Sequence, residues 1–403
     1  MANRKDSNGR VLRSGERERG GGGYEYRYTL KNGKRKSLYA ATLPELRRKE
    51  RELTADLTAG INVEASNITL NDMFELWKDL KKGIKDNTLE CYKYMYTQYV
   101  EDDLGRYRIK DIRKSDVRSF YSRLYEQRSI KISTIDRVHM VIHQILDIAV
   151  EDEYIKANPS NNAMGDLKKM YNVDQKRRKS LTRDEEALFL NYVRESNQYR
   201  HWYPLFAVMF GTGMRIGEVA GLRWKDIDLE KRRIDVNHTV VAYNKNHKMV
   251  TEVNSPKTPN SVRIIPMTEK VRDAFLMELR RQKREGITCN INIGKYTDFI
   301  FLNRNGEVFT CGVVNKAIKR IIRDCNEEIL SKDSGDDVLL VPHFSCHSTR
   351  HTFTTRMCES GANMKVVQSV LGHSDITTTL NIYTSVTDDM LEESLELFEK
   401  FAQ

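Results

Sequence analysis

The hydrophobic pattern of this 403-residue chain changes period along its length, which rules out one uniform fold. Between 24 and 40 apolar and polar residues alternate, as in strands with one buried face. From about 68 to 155 apolar residues recur every three or four positions, as in helices. Beyond 181 helical patterns alternate with short β-rich runs near 233–266 and 299–302. These changes predict several separately packed domains.

We therefore expect a multidomain protein with a linker between its second and third domains. The parts, in chain order, are a small β-sheet plus helix at 1–65, an all-α helical domain at 66–165, a linker at 166–180, and a mixed, mainly α, α/β domain with a C-terminal tail helix at 181–403.

The first domain carries a basic hairpin. Asn32-Gly33 separates YEYRYTL from KRKSLYA, which is a strong two-residue turn signal, and Thr42 with Glu45 predicts the start of a helix. A basic two-stranded ribbon is shaped to enter a DNA groove, although a solvated surface hairpin has the same pattern. The basic residues in question are Lys31, Lys34, Arg35 and Lys36.

The second domain reads as four helices, each opened by a side chain that can cap it. The predicted caps are Thr69, Asn87, Ser115 and Ser133. His139 and His143 have the spacing of helical metal ligands, but no third ligand lies nearby in the sequence. We therefore expect an ordinary helix face there and no metal site.

Composition favours a polyanionic partner. Lys and Arg number 67 against 57 Asp and Glu, giving a net charge of +10, with basic residues concentrated at 1–60 and acidic ones at 388–403. No stretch of about 18 apolar residues and no apolar signal core occurs, so neither a membrane partner nor export is expected. The six cysteines form no C-x-x-C pair, and Cys346 and Cys358 are expected in the core. We expect a cytoplasmic protein.

Several common catalytic motifs are missing. The chain has no G-x-x-x-x-G-K-[ST] phosphate loop, no H-E-x-x-H and no carboxylate cluster for paired magnesium ions, so no cofactor is expected. If the protein acts on phosphodiesters, its side chains must supply both the nucleophile and the charge stabilisation.

Four segments of the last domain offer such side chains. They are GTGMRIGEVAGLRW with Arg215 and Glu218, NSPKTPNSVRIIPM with Lys257, HSTRHTF with His347, Arg350 and His351, and LGHSDITTTLNIYTSV with His373 and Tyr383. Gly211 to Gly213 predicts a tight turn before a short helix, on which Glu218 lies one turn beyond Arg215 and can hold its guanidinium. Each segment alone is a weak signal.

In this order the segments resemble the tyrosine recombinase (phage-type integrase) family over residues 175–390, and the chain is most similar to integrases of conjugative transposons. The resemblance implies a tyrosine-recombinase catalytic domain after a helical domain that binds core DNA sites and a hairpin domain that binds arm sites. It also implies a DNA strand transferase that excises and integrates a mobile element through a 3′-phosphotyrosyl intermediate and a Holliday junction.

The family pattern implies a role for each matching side chain. Tyr383 would be the nucleophile, Arg215 and Arg350 would bind the non-bridging phosphate oxygens, and Lys257 would protonate the leaving 5′-oxygen. His347 would position or deprotonate the nucleophile and His373 would hydrogen-bond the phosphate. Glu218 and His351 would make supporting contacts to these catalytic side chains without touching the phosphate. Lys245 and Lys248 lie on the same presumed hairpin as Lys257, so the general acid stays open among the three.

Two further segments have open interpretations. The basic linker either follows a phosphate backbone or is simply a soluble connection; its residues are Lys176, Arg177, Arg178 and Lys179. The acidic tail either folds back on its own domain or, as the resemblance implies, packs onto a neighbouring protomer.

The resemblance also implies partners: double-stranded DNA at core and arm sites, further copies of this chain (a dimer per pair of sites and a tetramer in the synapse), and an accessory excision or bending protein, in the bacterial nucleoid. The alternatives are a chromosome-dimer resolving recombinase, which usually lacks an arm domain, a type IB topoisomerase or telomere resolvase, and a DNA-binding regulator without catalysis.

Overall fold

A computed structural model describes residues 4–29, 33–58, 67–171, 180–255, 262–332 and 338–372, together with Asp375 and Thr377. The chain separates into two compact units, 1–174 and 175–403. Each is described by itself.

The N-terminal part of the first unit is a three-stranded antiparallel sheet followed by one helix. The elements are β1 (Glu16–Glu18), β2 (Tyr24–Thr29), β3 (Arg35–Ala40) and α1 (Leu43–Thr58). The predicted pair β2–β3 is present, with Tyr26 opposite Leu38. The extra strand β1 was not predicted, because its sequence ERE has no apolar residue to alternate. Tyr24 packs on Leu43 and Leu46 of the helix to form a small core.

A buried carboxylate lies inside this sheet. Glu25 is only 2% exposed, although the alternation of β2 placed it on the polar face. It accepts hydrogen bonds from Ser37, Arg27 and Arg17. The bonds from Ser37 and then Arg27, against the opposing effect of burial, lower the pKa of Glu25 to about 2.

The helical part of the first unit surrounds one apolar core. Its helices are α2 (Leu70–Leu80), α3 (Asp86–Tyr99), α4 (Lys114–Glu126), α5 (Ile132–Glu151) and α6 (Ala163–Met170). Trp77 of α2, Tyr96 of α3, Phe120 of α4 and Ile142 of α5 are all buried in this core. The four predicted helices are therefore present, and α6 is an addition.

The helix starts agree with the predicted caps at only one of the four positions. Thr69 caps α2 as predicted, since its hydroxyl accepts from the Asp72 amide and the Asp72 carboxylate accepts from the Thr69 amide. The predicted caps Asn87, Ser115 and Ser133 lie inside helices that begin earlier. For α5 the reason is packing, because Ile132, before the predicted cap, is buried in the core.

The helix α6 corrects the expected boundary between the helical domain and the linker. Leu167 of α6 is buried in the helical core, and the ring of Tyr171 lies 4.3 Å from that of Tyr125. Residues 166–171, predicted as linker, thus belong to the helical part of the unit. The remaining boundaries stay predictions.

The two histidines at helical metal-ligand spacing have hydrogen-bonding partners instead of a metal-like arrangement. His139 Nδ1 lies 2.9 Å from the Tyr121 hydroxyl, and His143 Nδ1 lies 2.8 Å from the Ser160 hydroxyl. Burial, then the neighbouring His143, lowers the pKa of His139 to about 4. Among the residues the structure covers, no cluster of three or more His, Cys, Asp or Glu could hold a metal ion.

The second unit is mainly helical and also contains small antiparallel sheets. Its helices are α7 (Arg183–Glu195), α8 (Tyr203–Thr212), α9 (Ile216–Gly221), α10 (Glu269–Glu285), α11 (Cys311–Lys332), α12 (Cys346–Glu359) and α13 (Met364–Leu371). Its strands are β4 (Ile227–Asp228), β5 (Arg233–Val236), β6 (Thr239–Lys245), β7 (Lys248–Asn254) and β8 (Arg263–Pro266).

These strands form two sheets around the predicted β-rich region. One has the order β4-β5-β8 and the other is the hairpin β6-β7. The run at 299–302, which was predicted as β-rich, makes only isolated bridges, from Phe299 to Arg223 and from Leu302 to Val308. All four of its residues are buried, so it serves as core instead of as a sheet strand.

The helix α8 forms the centre of the larger core. It is apolar all round, and residues 204–210 are buried, as expected for a helix packed on every side. It contacts α10 and α12, and its C-terminal end leads directly into the segment with Arg215. Cys346 and Cys358 of α12 are buried, as predicted.

Candidate active site

The turn between α8 and α9 carries the first candidate residue. Gly213 ends α8 with a φ of +62°, a left-handed conformation that favours glycine. A Cβ atom added there would lie 2.3 Å from Cδ1 of Phe353 on α12, so glycine is also needed for packing. The predicted turn at 211–213 is shorter than expected, since Gly211 still belongs to α8.

Arg215 is fixed by Glu218, as the sequence predicted. The Arg215 Nη1 atom donates to Glu218 Oε1 at 2.9 Å, and the Arg215 amide donates to Glu218 Oε2 at 3.0 Å. The Arg215 side chain remains 43% exposed, whereas that of Glu218 is 7% exposed. The guanidinium therefore reaches the surface from a buried anchor and can meet an anion there.

The Glu218 carboxylate stays ionised in spite of its burial. Burial alone would raise its pKa, but hydrogen bonding and charge from Arg263, followed by Arg215, outweigh that effect and hold the pKa below its ordinary value. A negative Glu218 is the form that can accept the two bonds from Arg215.

Arg350 lies in the interior beside the same turn. It is 2% exposed, its Nη1 donates to the Gly213 carbonyl at 2.9 Å, and its Nη2 donates to the Leu371 carbonyl at 2.7 Å. These bonds use two of the five N–H donors of a guanidinium. Burial, and then the positive charge of Arg215, lower the pKa of Arg350 to about 9. It is still protonated at neutral pH, and an anion bound between the two arginines relieves their repulsion.

The helix α12 also carries the two candidate histidines. The rings of His347 and His351 meet edge to face, with centroids 4.7 Å apart. His347 is exposed and His351 is half-buried, so the predicted catalytic histidine reaches the surface.

Three of the six predicted catalytic residues lie outside the described residues: Lys257, His373 and Tyr383. The structure does describe the elements that lie next in the chain to Lys257 and to His373. The strand β8 begins at Arg263, shortly after the segment with Lys257, and α13 is terminated by Gly372, with a φ of +67°, immediately before His373. The alternative lysines Lys245 and Lys248 pair across the tip of the β6–β7 hairpin.

Arg263 has a place in this cluster that sequence reasoning missed. Its guanidinium lies between Glu218 and the last turn of α13, with Nη2 2.9 Å from Glu218 Oε2 and Nε 2.6 Å from the Val370 carbonyl. The signal was present, because Arg263 lies in the segment NSPKTPNSVRIIPM six positions after Lys257, but an arginine on a strand predicts no particular partner.

The predicted DNA-binding residues of the first domain are partly described. Lys34, Arg35 and Lys36 are exposed at the start of β3. Those outside the described residues are Lys31, Lys176, Arg177, Arg178 and Lys179. In the part of the chain covered by the structure, no helix combines the length and apolar character needed to cross a membrane.

Comparison with known families decides the classification. Residues 179–390, which contain all of the candidate catalytic residues, match the model of the phage integrase family. The chain belongs to the phage integrase family. Its members are tyrosine recombinases, enzymes that transfer DNA strands, so the predicted enzyme class is confirmed.

Two further family models match parts of this integrase that precede the catalytic domain. Residues 1–57 match the DNA-binding domain of the Tn916 integrase, and residues 69–125 match the N-terminal SAM-like domain of phage integrases. The predicted fold class, a small sheet domain and a helical domain preceding a recombinase catalytic domain, is thereby confirmed.

Individual relatives extend over nearly the whole chain. The transposase from transposon Tn916 of Enterococcus faecalis is 28% identical over 99% of this chain and 98% of its own length. A XerC-like tyrosine recombinase from Caldanaerobacter subterraneus is 29% identical over 92% of this chain and 95% of its own.

Solved structures agree in fold with this integrase. A fragment of the Tn1549 transposon integrase in complex with a circular intermediate DNA superposes with a TM-score of 0.72, at 27% identity, covering 82% of this chain and 99% of that fragment. A lambda integrase dimer bound to a core site has a TM-score of 0.53 at 18% identity and supports the fold alone.

Proposed function

We propose that this integrase cuts and rejoins DNA at specific sites to excise and integrate a mobile element such as a conjugative transposon. The observation that carries the proposal is the joint placement of Arg215 and Arg350. Arg350 donates to the carbonyl of Gly213, two residues before Arg215, so the turn that carries Arg215 also holds Arg350. The similarity to the Tn916 transposase over almost the full chain supports the mobile element as substrate.

The proposed reaction begins with attack by the Tyr383 phenolic oxygen on the scissile phosphorus. The P–O5′ bond breaks, the 5′-oxygen takes a proton from Lys257, and the 3′ end stays linked to Tyr383 as a phosphotyrosine. The tyrosine proton passes to His347 or to solvent. Because the new ester conserves the energy of the phosphodiester, rejoining needs no nucleotide.

Charge stabilisation falls to the arginines. A guanidinium presents two parallel N–H groups to phosphate oxygens. Its attraction to these oxygens becomes stronger as negative charge builds up around the pentacoordinate phosphorus. Arg215, held by Glu218, and Arg350, held by two carbonyls, are fixed before DNA binds. His373 completes this set as a hydrogen-bond donor to the phosphate.

The proposal extends to DNA binding and assembly. The helical domain binds core sites, and the N-terminal domain binds arm sites through the strand with Lys34, Arg35 and Lys36. The basic linker at 176–179, which joins the helical domain to the catalytic domain, follows the phosphate backbone. Four protomers, joined through their acidic tails, exchange strands through a Holliday junction on the bacterial nucleoid, with an accessory excision or bending protein. This chain shares its fold with a lambda integrase whose structure is a tetramer bound to a Holliday junction.

The test separates an integrase from its rivals. Two differently labelled duplexes carrying the ends of the native element are incubated with the full chain. We expect strand exchange, with Holliday junctions accumulating when the overlap sequences differ. Relaxation of supercoiled plasmid without exchange would indicate a type IB topoisomerase, and binding without any cleavage would indicate a regulator.

A further inference from the structure

Arg263 is a buried arginine whose partners among the described residues, Glu218 and Val370, belong to segments of the candidate active site. Its Nη2 and Nη1 atoms donate to the two carboxylate oxygens of Glu218, at 2.9 and 3.4 Å. Its Nε donates to the Val370 carbonyl at 2.6 Å. One guanidinium thus joins a helix, a strand and the end of another helix.

The Glu218 side of this contact leads to Arg215. The same carboxylate accepts from the Arg215 guanidinium and amide, so the position of Arg215 depends on where Glu218 is held. Without Arg263 the carboxylate could turn away or take up a proton, and the guanidinium of Arg215 would lose its anchor.

The Val370 side leads to His373. The last turn of α13 has one carbonyl held by Arg263, at Val370, and the next held by Arg350, at Leu371. Two positive charges therefore lie at the C-terminal end of α13, where they stabilise the helix dipole. A Cβ atom on Gly372 would lie 3.0 Å from Arg263 Nη1, so the glycine allows the guanidinium to pack against the chain just before His373.

We propose that Arg263 is a positioning residue for DNA cleavage, which fixes Glu218 behind Arg215 and fixes the end of α13 ahead of His373 without touching the phosphate itself. The proposal rests on the roles given above to Arg215 and His373. It also links these groups to β8, the strand that follows the segment with Lys257, so that one side chain connects three parts of the site.

The pH dependence of cleavage distinguishes a positioning role of Arg263 from that of a purely structural ion pair. Glu218 is faced by Arg215 at the start of its own helix, by Arg263 on β8 and by the charge of Arg350 on α12. Removing Arg263 takes away the largest influence that lowers the pKa of this buried carboxylate, so burial raises that pKa. Once protonated, Glu218 no longer anchors Arg215, and cleavage falls as the pH is lowered.

The test measures single-turnover cleavage of a nicked suicide DNA substrate against pH for the full chain, with DNA binding measured in parallel. For Arg263→Met we expect near-normal DNA binding, cleavage slowed by roughly tenfold or more, and an acid limb, a fall in cleavage as the pH is lowered, that the parent chain lacks. In the double variant Arg263→Met/Glu218→Gln the acid limb disappears, because the titrating group is gone.

Arg281 provides a matched control in the same unit. It has the same exposure as Arg263, 8%, and it likewise donates to a carboxylate, Glu278, and to a backbone carbonyl, that of Leu302. We expect Arg281→Met to lower the unfolding temperature while leaving the cleavage rate and pH profile of the folded protein unchanged.

Arg263→Lys keeps the inference testable if Arg263→Met does not fold. It retains the charge that keeps Glu218 ionised, so no acid limb is expected, but one ammonium cannot bond Glu218 and Val370 as the guanidinium does, so cleavage is still slower than in the parent. Parental rates in Arg263→Met or Arg263→Lys, or an acid limb that persists in the double variant, overturn the inference. Absence of cleavage by the parent chain itself overturns the proposed function and the inference with it.

Discussion

Arg350 donates a hydrogen bond from Nη1 to the carbonyl oxygen of Gly213, across 137 positions of sequence. This bond joins the helix that carries His347 to the turn that carries Arg215. It also brings together the two sequence segments TGMRIGE and HSTRH, each of which contributes an arginine to the candidate site.

Substitution of Gly213 tests how strongly this turn is constrained. Gly213→Ala combines an unfavourable left-handed φ with a Cβ 2.3 Å from the Phe353 ring, so we expect a loss of about 2–5 kcal/mol of stability. Gly286→Ala is the control, because Gly286 has a similar φ of +65° with nothing within 4 Å. It should cost only about 1–2 kcal/mol. Equal losses in thermal unfolding would show that packing against α12 does not constrain the turn.

Arg215→Lys tests the need for a planar cation on the phosphate. One ammonium cannot make two parallel bonds, so we expect cleavage to slow by at least about tenfold while DNA binding is kept. Arg232→Lys is the control, since the Arg232 side chain is 46% exposed and also has one carboxylate partner, Glu269. Single-turnover cleavage measures both. Parental cleavage by Arg215→Lys removes this residue from the site.

Acid stability of the N-terminal sheet should depend on Glu25. Its pKa is lowered to about 2 from an ordinary value of 4.5, so its contribution to stability is complete above pH 4.5 and is lost as the pH falls through about 2. Hydrogen exchange of the β2 and β3 amides in the full chain, corrected for intrinsic rates, measures this. Relative to the parent, Glu25→Gln should lose protection most above pH 4.5. The exposed Glu52→Gln serves as the control, and the same pH-dependent difference there would contradict the prediction.

The basic residues at the start of β3 should bind arm-site DNA through their positive charge. Replacing Lys34, Arg35 and Lys36 by Ala removes up to three phosphate contacts, so the slope of log affinity against log salt for arm-site DNA should fall by about 3. Binding to core-site DNA should stay unchanged. An unchanged salt slope on arm DNA would place the contact elsewhere in the chain.

Sequence predicted structural features correctly where local spacing along the chain determines them. The Glu218 anchor followed from helical spacing, and the strand pair β2–β3 followed from the alternating pattern around a turn signal. The cap of α5 and the burial of Glu25 were missed, because both are decided by tertiary packing. Arg263 was missed for the same reason: its partners lie 45 and 107 positions away in the sequence.

The most direct test of the account is to trap the protein on a suicide DNA substrate and identify the covalently linked residue by mass spectrometry, in buffer containing a chelator of divalent ions. The account predicts a 3′-phosphotyrosyl adduct on Tyr383, formed without metal or nucleotide, and no adduct in Tyr383→Phe although that variant still binds DNA. An adduct on another residue, an adduct that persists in Tyr383→Phe, or cleavage that requires a divalent ion would contradict it.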